Sequence, residues 1–213
     1  MNLSIWKKNN SDRVCLIKIG DSIWGSLPEK RLLTLFQSGV GSFEITEEQA
    51  QVIKDYLFQA AWDKLLDWLA RQEHSSLESE EYLKRQSFHP SIIERCLAEA
   101  KEKKFIDDER YCRLLIESLK ERGKSPHQIQ GKLIEKHLPS SLWEPILAEI
   151  YSPEEELNNL RAQAEKAYLQ YRHLDKRACY EHCLAALYRK GFDLEKARTV
   201  VADIVYRPDE KKP

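Results

Sequence analysis

The sequence predicts a mainly α-helical chain: a tandem array of three three-helix repeats, elongated and curved, preceded by a small N-terminal β-containing extension. Three observations predict it. Apolar residues recur at i, i+3, i+4 and i+7, a spacing that puts side chains on one stripe of an α-helix. The pattern itself returns at an offset of about fifty residues. The chain is also 32% charged with only 7 glycines and 8 prolines, a balance suited to long helices with solvated outer faces.

The third helix of each repeat carries the plainest copy. Ile93, Cys96, Leu97 and Ala100 form the first stripe, and Trp143, Ile146, Leu147 and Ile150 the second, at an offset of fifty. Ala197, Val200, Val201 and Ile204 form the third, fifty-four residues further on. Each is preceded by a second helix ending in Leu83 to Phe88, Leu133 to Leu138, or Leu187 to Phe192. Gly191 suits the left-handed residue just past a helix end. Phe88, Leu138 and Phe192 are placed to plug the turn into the next helix. Pro90 and Pro139 stand where a new helix begins and tolerates proline. Ser75 with Glu78, and Ser125 with Gln128, have the spacing of a capping box.

The first helices show the same stripe. Trp62, Leu65, Leu66 and Leu69 match Cys112, Leu115, Ile116 and Leu119 at an offset of fifty. In the third copy Leu157, Leu160, Ala164, Ala167, Tyr168 and Tyr171 imply a longer helix. A single three-helix unit is small, so neighbours are expected to lean on one another. The boundaries that follow are residues 49–104 for a linker helix and repeat one, 105–152 for repeat two and 153–205 for repeat three.

Residues 1–48 differ. Leu3 to Trp6, Arg13 to Ile19 and Ser22 to Trp24 read as two or three antiparallel strands, with turns at Lys7–Asp12 and Gly20-Asp21. Pro28 to Gln37 reads as a short helix and Ser38 to Ser42 as a loop. Thr46 to Gln49 is another capping-box start, whose helix either runs into repeat one or breaks near Leu57–Ala60. The extension is marginal alone and is expected to pack on the repeats. The tail, residues 206–213, reads as disordered.

Composition narrows the function. With 34 Lys and Arg against 35 Asp and Glu, the net charge is −1, so any contact with nucleic acid needs a local basic face. Five cysteines without a Cys-x-x-Cys pair argue against a disulfide framework and for a reducing, cytoplasmic setting. No stretch reads as a signal peptide or a membrane span. No Gly-rich phosphate loop, nucleophile elbow or zinc-protease motif is present. The expectation is therefore a binding protein rather than an enzyme, with no cofactor and no small-molecule substrate. Cys179, His182 and Cys183 share a helix face, but a closed zinc site needs four ligands, so packing is the better reading. Asp107, Asp108 and Glu109 are better read as structural than as a catalytic pair: Asp107 or Asp108 can cap the helix that starts there, and the acids favour its positive end. Basic residues cluster as Lys120, Arg122, Lys124, Lys132 and Lys136 in repeat two, and as Arg172, Lys176, Arg177, Arg189 and Lys190 in repeat three. Such runs are either solvated helix faces or a surface for phosphates or an acidic groove.

Four fragments together resemble one family, the RecX regulatory proteins. They are Ser75-x-x-Glu78 with Tyr82-Leu83-Lys84 and Phe88; Phe105-Ile106-Asp107-Asp108-Glu109-Arg110-Tyr111; Gly123-Lys124-Ser125-Pro126 with Ile129 and Leu133; and Arg189-Lys190-Gly191-Phe192. Where that family often has Lys-Gly-Phe, repeat one has Gln86-Ser87-Phe88 and repeat two Lys136-His137-Leu138. The resemblance implies a monomer that lies in the groove of the RecA–DNA filament and inhibits or modulates its growth, ATP hydrolysis and strand exchange. Direct contact with DNA would be weak and non-specific. The ten basic residues are then the candidate contact surface. The alternatives are a helix-turn-helix-like DNA-binding regulator and a generic helical adaptor.

Overall fold

Period-two alternation in the first strands places Leu3 and Ile5, then Cys15, Ile17 and Ile19, on one buried face. The computed structural model describes residues 1–7, 13–36 and 40–207. Strands β1 (Asn2–Lys7), β2 (Val14–Ile19), β3 (Ser22–Pro28) and β4 (Gly41–Glu44) form one antiparallel sheet in the order β3-β2-β1-β4. Leu3 faces Ile19 on one side and Phe43 on the other, and Cys15 faces Leu27. A bulge interrupts the β2–β3 ladder between Ile17 and Lys18.

Helix α1 (Glu29–Phe36) follows β3 directly. The strand β4 corrects the sequence reading, which put residues 38–42 in a loop: Gly41 and Ser42 pair with Ile5 and Ser4. A four-residue strand of glycine, serine, phenylalanine and glutamate gives too short an alternation to stand out. Residues 8–12 of the first turn, 37 at the end of the predicted short helix, 38 and 39 of that loop and 208–213 of the tail lie outside the described residues.

Helix α2 (Glu47–Leu69) runs unbroken for 23 residues, so the break considered near Leu57–Ala60 does not occur. It starts in a full capping box, with Thr46 accepting from the Gln49 N–H and the Gln49 side chain accepting from the Thr46 N–H. Helices α3 (Ser76–Arg85) and α4 (Pro90–Glu102) complete repeat one. Repeat two comprises α5 (Asp108–Glu121), α6 (Pro126–Glu135) and α7 (Ser140–Ile150). Repeat three comprises α8 (Pro153–Tyr171), α9 (Lys176–Arg189) and α10 (Leu194–Val205). The long first helix expected in repeat three is thus α8. All three stripes on the third helices are buried or half-buried.

The chain divides into two compact units, one ending at Asp108 and one starting at Glu109. In the first unit the sheet and repeat one share a single hydrophobic core. The turn from α3 to α4 closes it: the His89 N–H donates to the Trp24 carbonyl at 3.1 Å, and the Ser26 hydroxyl donates to the Gln86 carbonyl at 3.4 Å. The His89 and Trp24 rings stack with centroids 4.2 Å apart, and the Lys54 ammonium lies 4.1 Å from the Trp24 ring centroid. Phe88 and Leu57 press on Gly25, where a Cβ would meet Phe88 at 2.8 Å. The extension therefore packs on repeat one as expected. In the second unit, repeats two and three each have their own core, around Trp143 and Ile116 in one and Leu187 and Val201 in the other.

Each second helix ends the same way. Ser87, His137 and Gly191 have φ of 65°, 53° and 72°. In each case the residue after it returns its N–H to a carbonyl inside the helix: Phe88 to Leu83, Leu138 to Leu133, and Phe192 to Leu187. The residue itself bonds the carbonyl one position later, Lys84, Ile134 or Tyr188. This is the paired 6→1 and 5→2 closure in which glycine is favoured. Only repeat three supplies glycine. Ser87 and His137 hold a left-handed backbone with a side chain attached, at about 1 kcal/mol each. Ser87→Gly and His137→Gly should each raise stability by about 1 kcal/mol, seen as a melting-point rise of about 2–4 °C. Trp143, 6% exposed in the core of repeat two, should cost about 3–5 kcal/mol when cut to alanine. A urea titration that leaves the Trp143→Ala midpoint unmoved would refute that assignment.

Candidate partner-binding surfaces

The acidic stretch before α5 has a structural role in the first unit. Helix α4 ends with Lys104 at a φ of 59°, and Phe105 returns its N–H to the Ala100 carbonyl at 2.8 Å. Ile106 is buried, and the Phe105 ring lies 6.1 Å from Trp62. Asp108 accepts from the Ser76 N–H at 2.7 Å and the Ser76 hydroxyl at 2.6 Å. It thus satisfies the start of α3, a role different from capping its own helix. The adjacent Ser75–Glu78 capping box is complete. Glu78 also meets the His74 Nδ1 at 3.3 Å, and the His74 ring stacks at 3.5 Å on Trp68, which stacks at 4.5 Å on Tyr82. Of the rest of the stretch, Tyr111 is buried and Asp107 and Arg110 are half-buried.

Among the described residues, no group of three or more His, Cys, Asp or Glu side chains could hold a metal ion. Cys179 and Cys183 pack in the core of repeat three, where burial and the neighbouring Cys179 push the Cys183 thiol up to about 12. His182 points away from them and stacks on Tyr171, with centroids 5.1 Å apart. No described helix is long and apolar enough to cross a membrane.

The basic residues of repeat two divide into two kinds. The Lys120 ammonium donates to the Ile150 carbonyl at 2.9 Å, pairs with Glu155 at 3.0 Å and sits 5.6 Å from the Tyr151 ring centroid. It closes the turn between α7 and α8. Lys132 pairs with Glu135 on its own helix at 2.8 Å, which holds that carboxyl below its usual range. Lys136 is half-buried at the end of α6. Arg122 is exposed and Lys124 half-exposed, and neither has a carboxylate partner among the described residues.

Repeat three divides likewise. Arg177 pairs with Glu181 at 3.3 Å. Lys190 is half-buried, with its ammonium 2.5 Å from the Gln163 side-chain oxygen. Arg172 and Lys176 are exposed at the α8–α9 turn, and Arg189 is exposed at the end of α9. The ten predicted cations therefore do not act as two uniform faces. Five of them stand open: Arg122, Lys124, Arg172, Lys176 and Arg189. Lys166, which sequence spacing did not single out, joins them on the exposed side of α8.

Repeats two and three meet through polar groups. The Gln128 side chain donates to the Arg189 carbonyl at 2.8 Å. The Tyr151 hydroxyl donates to the Lys124 carbonyl at 3.0 Å, and Asn159 donates to the same carbonyl at 3.2 Å. Gln163 is 5% exposed and donates to Asn159 at 3.3 Å. Gly123, at a φ of 73°, is the close neighbour of Gln163: a Cβ there would lie 2.2 Å from its amide nitrogen. A side chain at this position is strained by the left-handed backbone and would push the end of Gln163 aside.

Comparisons with known proteins agree on one family. Residues 154–201 match the family model for the third three-helix domain of RecX. The chain is 28% identical over 202 residues to the regulatory protein RecX of Streptococcus equi subsp. equi, covering 92% of this chain and 75% of that one. It is 32% identical over 144 residues to that of Geobacillus thermodenitrificans, covering 67% of this chain and about half, 53%, of that one. Among solved structures, a regulatory protein RecX crystal structure aligns over 97% of this chain and all of its own, with a TM-score of 0.61 and 21% identity. RecX from Lactobacillus salivarius aligns over 69% of this chain at the same TM-score, 0.61. These two likenesses speak to the fold.

Asp108→Ala removes a charged acceptor from two donors on Ser76. It should lower stability by about 2 kcal/mol, while Asp108→Asn, which keeps one acceptor, should lose less. Chemical denaturation of the two variants orders them, and equal midpoints for both and the parent protein would deny Asp108 this role.

Proposed function

We propose that this chain, which belongs to the RecX family of regulatory proteins, binds the RecA–DNA filament and restrains it, lowering ATP hydrolysis, filament growth and strand exchange. The observation that carries the reading is the match to regulatory RecX proteins along 92% of the chain, together with the family-like stretch from Phe105 to Tyr111 and its place at the start of repeat two. Three like units in tandem suit a partner that is itself repetitive, because each unit can offer a related surface to successive copies of it. Weak contacts made along one chain then add through effective concentration.

The contact surface in this reading is the set of cations left open once internal pairs are set aside. Arg172, Lys176 and Arg189 are exposed on repeat three, and Arg122 on repeat two. Lys120 and Lys132, both held in ion pairs, serve the fold first. Rim charges of this kind steer encounter and set salt dependence more than they set intrinsic affinity.

The test is the ATPase activity of RecA on single-stranded DNA with the purified chain titrated in. The expected result is a dose-dependent fall in rate. The triple variant Arg172→Glu, Lys176→Glu and Arg189→Glu should need about tenfold more protein for the same effect, equivalent to about 1.4 kcal/mol. An ATPase rate indifferent to the wild-type chain over a wide range would defeat the reading. An unchanged dose response in the triple variant would remove those three residues from the surface.

A further inference from the structure

In repeat one the second and third helices, α3 and α4, flank a groove of about 310 Å³ lined by Glu80, Lys84, Pro90, Ile93, Glu94 and Leu97. Its rim is charged, and Lys84 pairs with Glu80 one turn back on α3. Offsets of fifty and then fifty-four carry these positions into the other repeats. The floor stays apolar, as Ile93 and Leu97 become Trp143 and Leu147, then Ala197 and Val201. The rim does not stay charged. Glu80, Lys84 and Pro90 become Gln130, Ile134 and Ser140 in repeat two, and Leu184, Tyr188 and Leu194 in repeat three.

Repeat three thus has an apolar rim open to solvent. Tyr188 is 64% exposed and Leu194 37%, with Leu184 half-buried between α9 and the core. The apolar stripe continues to the far end of the two helices. Tyr180 stands one turn before Leu184, and its ring lies 5.9 Å from that of Tyr206, which is 51% exposed just past α10. The position of Tyr206 holds Ser152 in repeat two and Glu102 in repeat one. The sister repeats close the same fold with lysine, serine and glutamate at these places, so folding does not require the aromatics. Exposed apolar patches mark contact surfaces, and tyrosine beside arginine is the composition of strong contact points.

The charge midway along the groove changes sign as well. Glu94 and Glu144 stand there in repeats one and two, and Arg198 in repeat three. Arg198 meets Glu195 on its own helix at 2.7 Å, an exposed pair of little strength that an incoming carboxylate can replace. Arg177 and Glu181 offset each other near Tyr180, and Arg189, next to Tyr188, is exposed with no carboxylate partner among the described residues.

We propose that the groove between α9 and α10 takes an amphipathic helix of a protein partner, apolar where it meets Tyr188, Leu194 and Tyr206 and acidic where it passes Arg198. Tyr180, Leu184 and Tyr188 recur every turn, about 6 Å apart along α9, and the side chains of an incoming helix have the same spacing and sit between them. The 12 residues of α10 give a floor about 18 Å long, room for about three turns. The proposal rests on the filament reading in taking RecA as the partner, and it names an apolar grip separate from the open cations.

For the test, filaments of RecA on single-stranded DNA are titrated into the full chain, labelled at its amino terminus, and fluorescence anisotropy reads the affinity at low and high salt. Tyr188→Lys with Tyr206→Glu restores the side chains of repeat one and leaves the net charge unchanged. It should bind at least about tenfold more weakly, and the loss should persist at high salt, where the effect of exposed charges fades. Tyr188→Lys alone, at the more exposed tyrosine, guards against a folding defect and should cost about fivefold. Arg198→Glu should cost about threefold at low salt and less at high salt. Leu169→Glu, at an exposed apolar residue of α8 outside the groove, should bind as wild type does. Wild-type affinity in both tyrosine variants would overturn the groove and leave the filament reading standing. A wild-type chain that does not bind the filament would overturn both. A dimer of the chain alone in sedimentation, lost in the double variant, would overturn the proposal by making a second copy the occupant. An equal loss of affinity for a free oligo-dT strand would overturn it by assigning the tyrosines to bases.

Discussion

A helix of ten to fourteen residues is marginal by itself in water, and each repeat has such a helix at its centre, so the way it is closed at both ends governs the rest. At the front, Ser75, Ser125 and Asp175 accept backbone N–H groups. At the back, a left-handed residue turns the chain so that Phe88, Leu138 or Phe192 drops into the core. The third helix of each repeat can pack only after that reversal. Repeats one and two accept a strained residue at the reversal, which indicates how strictly the geometry is required.

The repeats differ in what surrounds this shared plan. Repeat one merges its core with the sheet, through Gly25, Phe88 and the stacked rings of Trp24 and His89. Repeats two and three keep separate cores and touch through amides, a phenol and carbonyls. Such a polar seam fixes a register with few apolar contacts.

Much of the fold was legible because a helix writes its buried face into the sequence at a period near four, and the stripes from Trp62 to Ile204 are long enough to read. Strand β4 was not, being short and rich in small residues. The continuity of α2 was open because neither glycine nor proline marks its middle, and only packing decides. The surface was harder. Lys120 reads as a free cation until Glu155, distant in sequence, is seen beside it. Of the two candidates for the cap of α5, Asp107 and Asp108, spacing along the chain does not show that Asp108 is turned to Ser76. Tyr180 and Tyr206 are far apart in the chain, and their nearness follows from the meeting of α9 and α10, which spacing does not encode.

The unbroken α2 belongs to two neighbourhoods at once. It lies against β3 and against α4, with Ala50, Ile53 and Leu57 buried toward one end and Ala61, Trp62 and Leu65 toward the other. A rod shared in this way makes the sheet and the first helical triplet a single cooperative block. Loosening the strands would strip apolar cover from the same helix that supports α3 and α4. The amino-terminal segment is therefore a foundation for repeat one, and changes there should be felt in the triplet well before they are felt at the strands' own outer edge.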